Sequence, residues 1–255
     1  MTEISRPDKV LFPDPADGSP VTKADLADYY TAVADVMLPH LVGRPLVLHR
    51  FPDGVDDAGF FQKQAPRGLP EAAETVTVDA DNDRGHVRHL MVGDHDLAPL
   101  RATARAARDL FEAIGLTPYL MATGGYGYHV AAPLDGSADF DEARALAVAV
   151  ADRLVAADPD GLTTRQRKAD SGDRIFLDTN RNAYGQTAVA PYSPRAVPGA
   201  PVAVPLSFDE LGRIEPDGHD VRSVRRRLAR RGDPCSGAAG RAAAVARAAA
   251  ALAAL

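Results

Sequence analysis

The segment Arg174-Ile175-Phe176-Leu177-Asp178 constrains the fold more than any other in the chain. It is a short apolar run that ends in one carboxylate. A second run, residues 186–190, follows it and breaks into Pro191-Tyr192-Ser193-Pro194-Arg195. Runs this short, bounded by turn residues, read as strands. An acid at the end of a buried strand is costly to desolvate unless a cation or a donor meets it. The pattern predicts strands at 174–178 and 186–190, with Asp178 toward a metal ion and Arg195 near a phosphate. The competing reading makes Asp178 a strand-end aspartate in a turn with Asn180 and Asn182.

Helical and strand-like segments alternate along the rest of the chain. Thr22-Lys23-Ala24-Asp25 places an acid three residues after a capping threonine, a helix-start signal. Apolar residues then recur at helical spacing to Leu41, and Gly43 stops the helix. Helices are also expected over 97–114, 140–157 and 220–231, with a short one opening at Ser207-Phe208-Asp209-Glu210. Strands are expected over 45–51, 75–79, 87–92 and, paired around Gly124-Gly125-Tyr126-Gly127, over 118–122 and 128–132. This interspersion favours an α+β, mixed α/β architecture over a doubly wound sheet. One domain is expected over residues 1–235. Residues 236–255 are nearly all alanine, which has high helix propensity but little surface to bury, so a helical or disordered tail with no catalytic role is expected there.

Composition excludes some classes. Cys235 is the single cysteine, so neither a disulfide nor a cysteine-built zinc site can form within one chain. A net charge of −6 argues against a protein coated in basic residues but leaves room for a local basic groove. With no apolar run approaching a membrane span and no signal peptide, no membrane partner and a cytoplasmic, nucleoid-associated location are expected.

Several residues carry chemistry, each with a plainer reading beside it. Asp94-His95-Asp96 is a D-x-D whose carboxylates would share a face on a strand and could hold divalent ions. The same residues, just before a helix with Pro99 in its first turn, also read as an N-cap. The turn from Thr123 to Gly127 lets amides approach phosphates, with His129 beyond it; its glycines also suit a plain hairpin. Lys9 and Lys23, with a helix start, can grip a terminal phosphate, or be ordinary surface lysines. Phe60-Phe61 can stack on bases or fill a core. Arg222, Arg225, Arg226, Arg227, Arg230 and Arg231 can track a nucleic-acid backbone or form a solvated face.

Together these segments resemble the primase-polymerase domain of bacterial ligase D, in the archaeo-eukaryotic primase superfamily. The matching words are Pro7-Asp8-Lys9-Val10-Leu11-Phe12-Pro13, Thr22-Lys23-Ala24-Asp25 with Tyr29-Tyr30, Arg50-Phe51-Pro52-Asp53-Gly54, Phe60-Phe61-Gln62-Lys63-Gln64, Tyr128-His129, Ile175-Phe176-Leu177-Asp178 and Ala190-Pro191-Tyr192-Ser193-Pro194-Arg195. The resemblance implies a central, mostly antiparallel sheet flanked by helices. It also implies a nucleotidyltransferase that extends DNA ends from nucleoside triphosphates with Mn2+ or Mg2+, beside Ku and a DNA ligase in end joining. Carried over, Lys9 and Lys23 grip the 5′-phosphate and Phe60 and Phe61 stack on bases. His129, Thr123 and Arg195 meet the nucleotide, and Asp94, Asp96 and Asp178 are the metal carboxylates. The family's Trp-Leu-Ala-Asn, His-Pro and Asp-Leu-Asp-Pro words are missing, and the chain joins their flanks near 92–97. Two alignments fit. One makes Asp94 and Asp96 the metal pair. The other, which is preferred, makes them only the lead-in to the next helix.

Overall fold

Thr22 turns the chain from strand to helix. Its hydroxyl accepts from the Asp25 N–H, and the Asp25 carboxylate accepts from the Thr22 N–H, a complete capping box. The computed structural model to which this cap belongs describes residues 4–13, 19–64 and 97–255. In chain order the strands and helices of its first half are β1 (Val10–Phe12), β2 (Val21–Thr22), α1 (Lys23–Leu41), β3 (Leu48–Arg50), β4 (Phe60–Gln62), α2 (Leu97–Ala113), β5 (Tyr119–Ala122) and β6 (Tyr128–Ala131). There follow α3 (Phe140–Ala157), β7 (Leu162–Thr163), α4 (Lys168–Ser171), β8 (Ile175–Phe176), β9 (Val204–Leu206), α5 (Ser223–Arg231) and α6 (Val245–Ala253). The mixed α+β class expected from the sequence holds. Strands β1–β2, β3–β4 and β5–β6 pair antiparallel and β7–β8 pair in parallel. The largest described sheet has the order β6-β5-β9.

The described residues fall into two compact units. The first draws on Met1–Met91, Val189–Val204 and Asp217–Gly232, the second on Val92–Ala188, Pro205–Pro216 and Asp233–Leu255. In the first, α1 buries Tyr29, Val33 and Met37, one stripe at a spacing of four. The Tyr29 hydroxyl donates to the Tyr192 carbonyl at 2.7 Å, a buried bond between residues 163 positions apart. Burial raises the Tyr29 phenol well above its ordinary range, so it stays protonated and donates. Tyr192 is fully buried with φ at +66°, a left-handed conformation that a bulky residue holds only where its surroundings impose it. Its N–H donates to Ala203, and the Ala203 N–H donates back to Ser193, so the Pro-Tyr-Ser-Pro-Arg segment is clamped as a turn.

In the second unit, α2, α3 and α6 enclose an apolar cluster that includes Ala107, Ile114, Leu146, Val150, Leu154, Val245 and Ala248. Val130, Ile175 and Leu177 pack against it. Val130 pairs across the sheet with buried Leu120, and His129 pairs with Met121, so His129 lies on the opposite face of β6 from Val130.

Three expectations change. Residues 186–190 form no strand and lie mostly exposed. The run from 174 to 178 keeps only Ile175 and Phe176 in β8, held by a two-residue pairing with β7. An apolar run becomes a strand only where a neighbour supplies its ladder bonds. Ser207-Phe208-Asp209-Glu210 does show the cap signature, with the Ser207 N–H donating to the buried Glu210 carboxylate. The chain then continues as turns, not a helix. At the alanine-rich end the helical alternative holds as α6, packed rather than frayed: Val245 and Ala248 are buried in the cluster with α3. Small side chains bury little area but let two helix backbones approach closely. The strands expected over 75–79 and 87–92 lie outside the described residues, as do Asp94 and Asp96.

Tyr29→Phe should leave the Tyr192 carbonyl buried without this donor, at a cost of about 1–3 kcal/mol in urea unfolding; an unchanged midpoint would refute the bond's role. Ala248→Leu should overpack the α3–α6 contact by about 1–3 kcal/mol, whereas Ala249→Leu, on an exposed position, should cost little. Equal effects in thermal melts would show that α6 is not docked.

Candidate functional site

Lys9 and Lys23 are far apart in sequence and adjacent in the fold. The Lys23 N–H donates to the Lys9 carbonyl at 2.9 Å, next to the β1–β2 pair. The Lys9 ammonium reaches the Asp53 carboxylate at 2.9 Å and the Pro52 carbonyl. Lys9 holds the Asp53 carboxyl below its ordinary range, with Arg6 adding to the effect. The Lys23 ammonium donates to the Ser5 carbonyl at 2.8 Å and the Ser5 hydroxyl at 3.1 Å. An ammonium carries three donors, so two bonds at Ser5 do not exhaust it. The amides of the first turn are already used. Lys23 donates to Lys9, Ala24 to Pro7 and Asp25 to the Thr22 hydroxyl. An anion here would be held by side-chain cations and the helix dipole, not by open backbone N–H groups.

Phe60 and Phe61 stand on β4 opposite Arg50 and His49 of β3. Neighbours on a strand face opposite ways, so the two rings lie on different faces of this ribbon. Both are exposed, at 49% and 57%. His49 stacks on Phe61 with ring centroids 4.0 Å apart and planes 15° from parallel. The Arg50 guanidinium lies 5.9 Å from the Phe60 ring centre and also donates to Gln62. Exposed rings next to cations suit a surface that meets bases and phosphates. Arg195 belongs to the same unit. Its N–H donates to the Pro201 carbonyl at 2.7 Å, which fixes the backbone while the side chain stays exposed.

Thr123, His129 and Asp178 belong to the second unit. The Thr123 hydroxyl donates to the Gly127 carbonyl at 2.8 Å, so it closes the glycine turn on itself, and the Gly124 N–H donates to Pro216. His129 is half-buried on β6. Asp178 is exposed, two residues beyond β8. One of its oxygens accepts from the Asn180 N–H at 2.9 Å, and the other lies 3.5 Å from the Arg181 guanidinium. This is the turn with Asn180 that the plainer reading foresaw. Val130 and Leu177, next in sequence to His129 and Asp178, pack on one apolar cluster.

Among the described residues, no group of three or more His, Cys, Asp or Glu side chains is placed to hold a metal ion. Asp178 contributes a single carboxylate, already engaged, so the described residues do not make a metal centre by themselves. Sequence reasoning missed Ser5, His49 and Asp53 as partners of the chosen residues. The word Arg50-Phe51-Pro52-Asp53 was in view, but no spacing links residue 53 to residue 9.

A family model, the LigD primase-polymerase domain, matches residues 22–97 and again 93–235. The chain is 32% identical to the multifunctional non-homologous end joining DNA repair protein LigD of Mycobacterium tuberculosis over 276 aligned positions, covering 90% of the chain and 36% of that protein. It is 31% identical to the LigD of Mycolicibacterium smegmatis, covering 83% of the chain and 32% of the relative. A solved structure, the polymerase domain from Mycobacterium tuberculosis Ligase D in complex with DNA, matches with a TM-score of 0.81 at 30% identity, over 95% of this chain and 99% of that one. The chain thus spans about a third of the length of these curated relatives. The 276 aligned positions exceed the 255 residues of the chain, so the mycobacterial relative carries positions with no counterpart here.

Acid should loosen the scaffold of the lysine pair. Bonds from the Thr22 N–H and hydroxyl lower the Asp25 pKa. At Asp220, burial pushes the pKa up, but bonds from Ser223 and Arg222 outweigh it and leave it lowered. A lowered folded pKa stabilises above the ordinary value of 3.8, and the stabilisation is lost as pH falls through the folded value. Thermal melts should therefore fall as pH drops below about 3.8, less so in Asp25→Asn. The same acid dependence in that variant would remove Asp25 from the account.

Proposed function

The chain belongs to the LigD primase-polymerase domain family, and from that premise we propose that it is a nucleotidyltransferase acting at DNA ends in double-strand-break repair by end joining. The observation that carries the reading is the pairing of Lys9 and Lys23 beside the start of α1. Two ammonium groups and the positive end of a helix favour a dianionic 5′-phosphate. Asp53 partners Lys9, and a phosphate would compete for that ammonium. Likeness to a polymerase domain in complex with DNA supports the same ligand class.

In this reading Phe60 and Phe61 stack on unpaired bases, and His129, Thr123 and Arg195 contact the incoming nucleoside triphosphate. Asp94, Asp96 and Asp178 are the carboxylates assigned to Mn2+ or Mg2+. Such an ion, when bound, neutralises triphosphate charge and stabilises in-line displacement. The described residues do not complete that centre, so no step is derived through it. Ku and a DNA ligase are the proposed protein partners, and the cytoplasm, at the nucleoid, the proposed location. Among the described residues, no helix is long and apolar enough to cross a membrane.

A second reading has specific support: a DNA-end-binding module without catalysis. The Asp178 carboxylate is engaged by Asn180 and Arg181. The family match also comes in two pieces that overlap at 93–97, beside Asp94 and Asp96.

Primer extension with manganese separates the two. Incorporation that is abolished by Asp178→Ala supports the transferase; incorporation undiminished in that variant removes Asp178 from the site. No incorporation under any metal, with binding to 5′-phosphorylated ends weakened by Lys23→Ala, supports the binding module. Equal affinity for phosphorylated and unphosphorylated ends would count against both end-gripping assignments.

A further inference from the structure

We propose that the arginine stripe of α5 beside α1 contacts the phosphate backbone of duplex DNA, extending the grip beyond the broken end. The identity of the ligand rests on the DNA-end reading above; the cationic face does not. On α5, Val224 and Arg227 are buried, so they turn inward. Arg222, Arg225, Arg226 and Ala229 recur at i, i+3, i+4 and i+7 and form a separate stripe. That stripe lines a groove of about 530 Å3 together with Asp25, Asp28 and Tyr29 of α1.

Charge and position select the occupant. Arg222 and Arg226, and Arg226 and Arg230, are like-charge pairs four apart on one helix, an arrangement that costs stability unless an anion offsets it. Asp25, held in its capping box, also feels the Arg222 charge, and Asp28 is the second acid of the groove, so Arg225, Arg226 and Arg230 outnumber the acid left to them. Arg225, Arg226 and Arg230 are exposed. The Arg222 guanidinium donates to the carbonyls of Ser19 and Pro20 at 2.9 and 3.0 Å, just ahead of β2. The start of α5 is thereby held against the segment that leads into α1, where Lys23 stands. The cations at 9, 23, 222, 225 and 226 therefore belong to one neighbourhood of the first unit. In this proposal a duplex whose 5′-phosphate sits at the lysines runs its backbone past the arginines. Arginine forks suit phosphate oxygens.

The test is binding of the full chain to duplexes with and without a 5′-phosphate, across a salt series. The double variant Arg225→Ala/Arg226→Ala should weaken both duplexes several-fold by the same factor and lower the salt slope by about 2. Arg225→Lys/Arg226→Lys should restore the slope, since the charge returns. Circular dichroism checks that α5 stays folded; both sites are exposed and alanine favours helix. An unchanged slope in the alanine variant overturns the proposal and leaves an acidic protein as the face's partner. Loss of phosphate preference with the slope intact also overturns it, by moving the arginines into the end pocket. If the wild type binds duplex with no 5′-phosphate preference and the alanine pair still weakens it, the α5 contact stands and the end reading falls. No DNA binding by the wild type removes both.

Discussion

One buried hydrogen bond organises the unit that carries the lysine pair. The Tyr29 hydroxyl, from the middle of α1, donates to the carbonyl of Tyr192. Tyr192 is fully buried in a left-handed conformation, which an isolated chain would leave. The bond satisfies a carbonyl that water cannot reach and ties the Pro-Tyr-Ser-Pro-Arg turn to the helix that begins with Lys23. Arg195, three residues on, inherits that position through its own bond to Pro201. The cations at 23 and 195 are thus referenced to one helix.

The site chemistry follows from how these cations are kept. Lys9 leans on Asp53, Lys23 on Ser5, and Arg222 on two backbone carbonyls. Each partner holds a long side chain in place without burying its charge in apolar surroundings. Exposed pairs of this kind contribute little to stability, and an incoming phosphate can compete for them. The aromatic ribbon of β3 and β4 adds ring faces without forming a core. What unites these features is their fit to the polyanion proposed as ligand. Asp178 is organised by the opposite logic, as a carboxylate that collects an amide and a guanidinium.

Helix starts were legible because capping is local. Thr22 with Asp25 completes a capping box within four residues of chain; the structure adds a second one, Asp139 with Glu142, at the start of a helix for which no cap was read from the sequence. The pairing of β5 with β6 was legible because the glycine turn between them sits in the same stretch of sequence. Strand 186–190 failed for the complementary reason: its apolar pattern was right, but among the described residues no strand pairs with it. The C-terminal helix was underrated because alanine's contribution depends on how closely α3 approaches, which composition does not state.

The residues themselves, in their order, settled the family, the fold class and the capped helices. Their words are contiguous, and local hydrogen bonds need no distant partner. Tertiary structure alone set Lys9 beside Lys23, gave Lys9 its Asp53, turned Phe60 and Phe61 to opposite faces, and brought Arg222 to the segment just ahead of β2. Each of those contacts joins segments widely separated along the chain or depends on a strand's register. Such contacts arise only after the core has closed and the loop entropy between the segments has been lost.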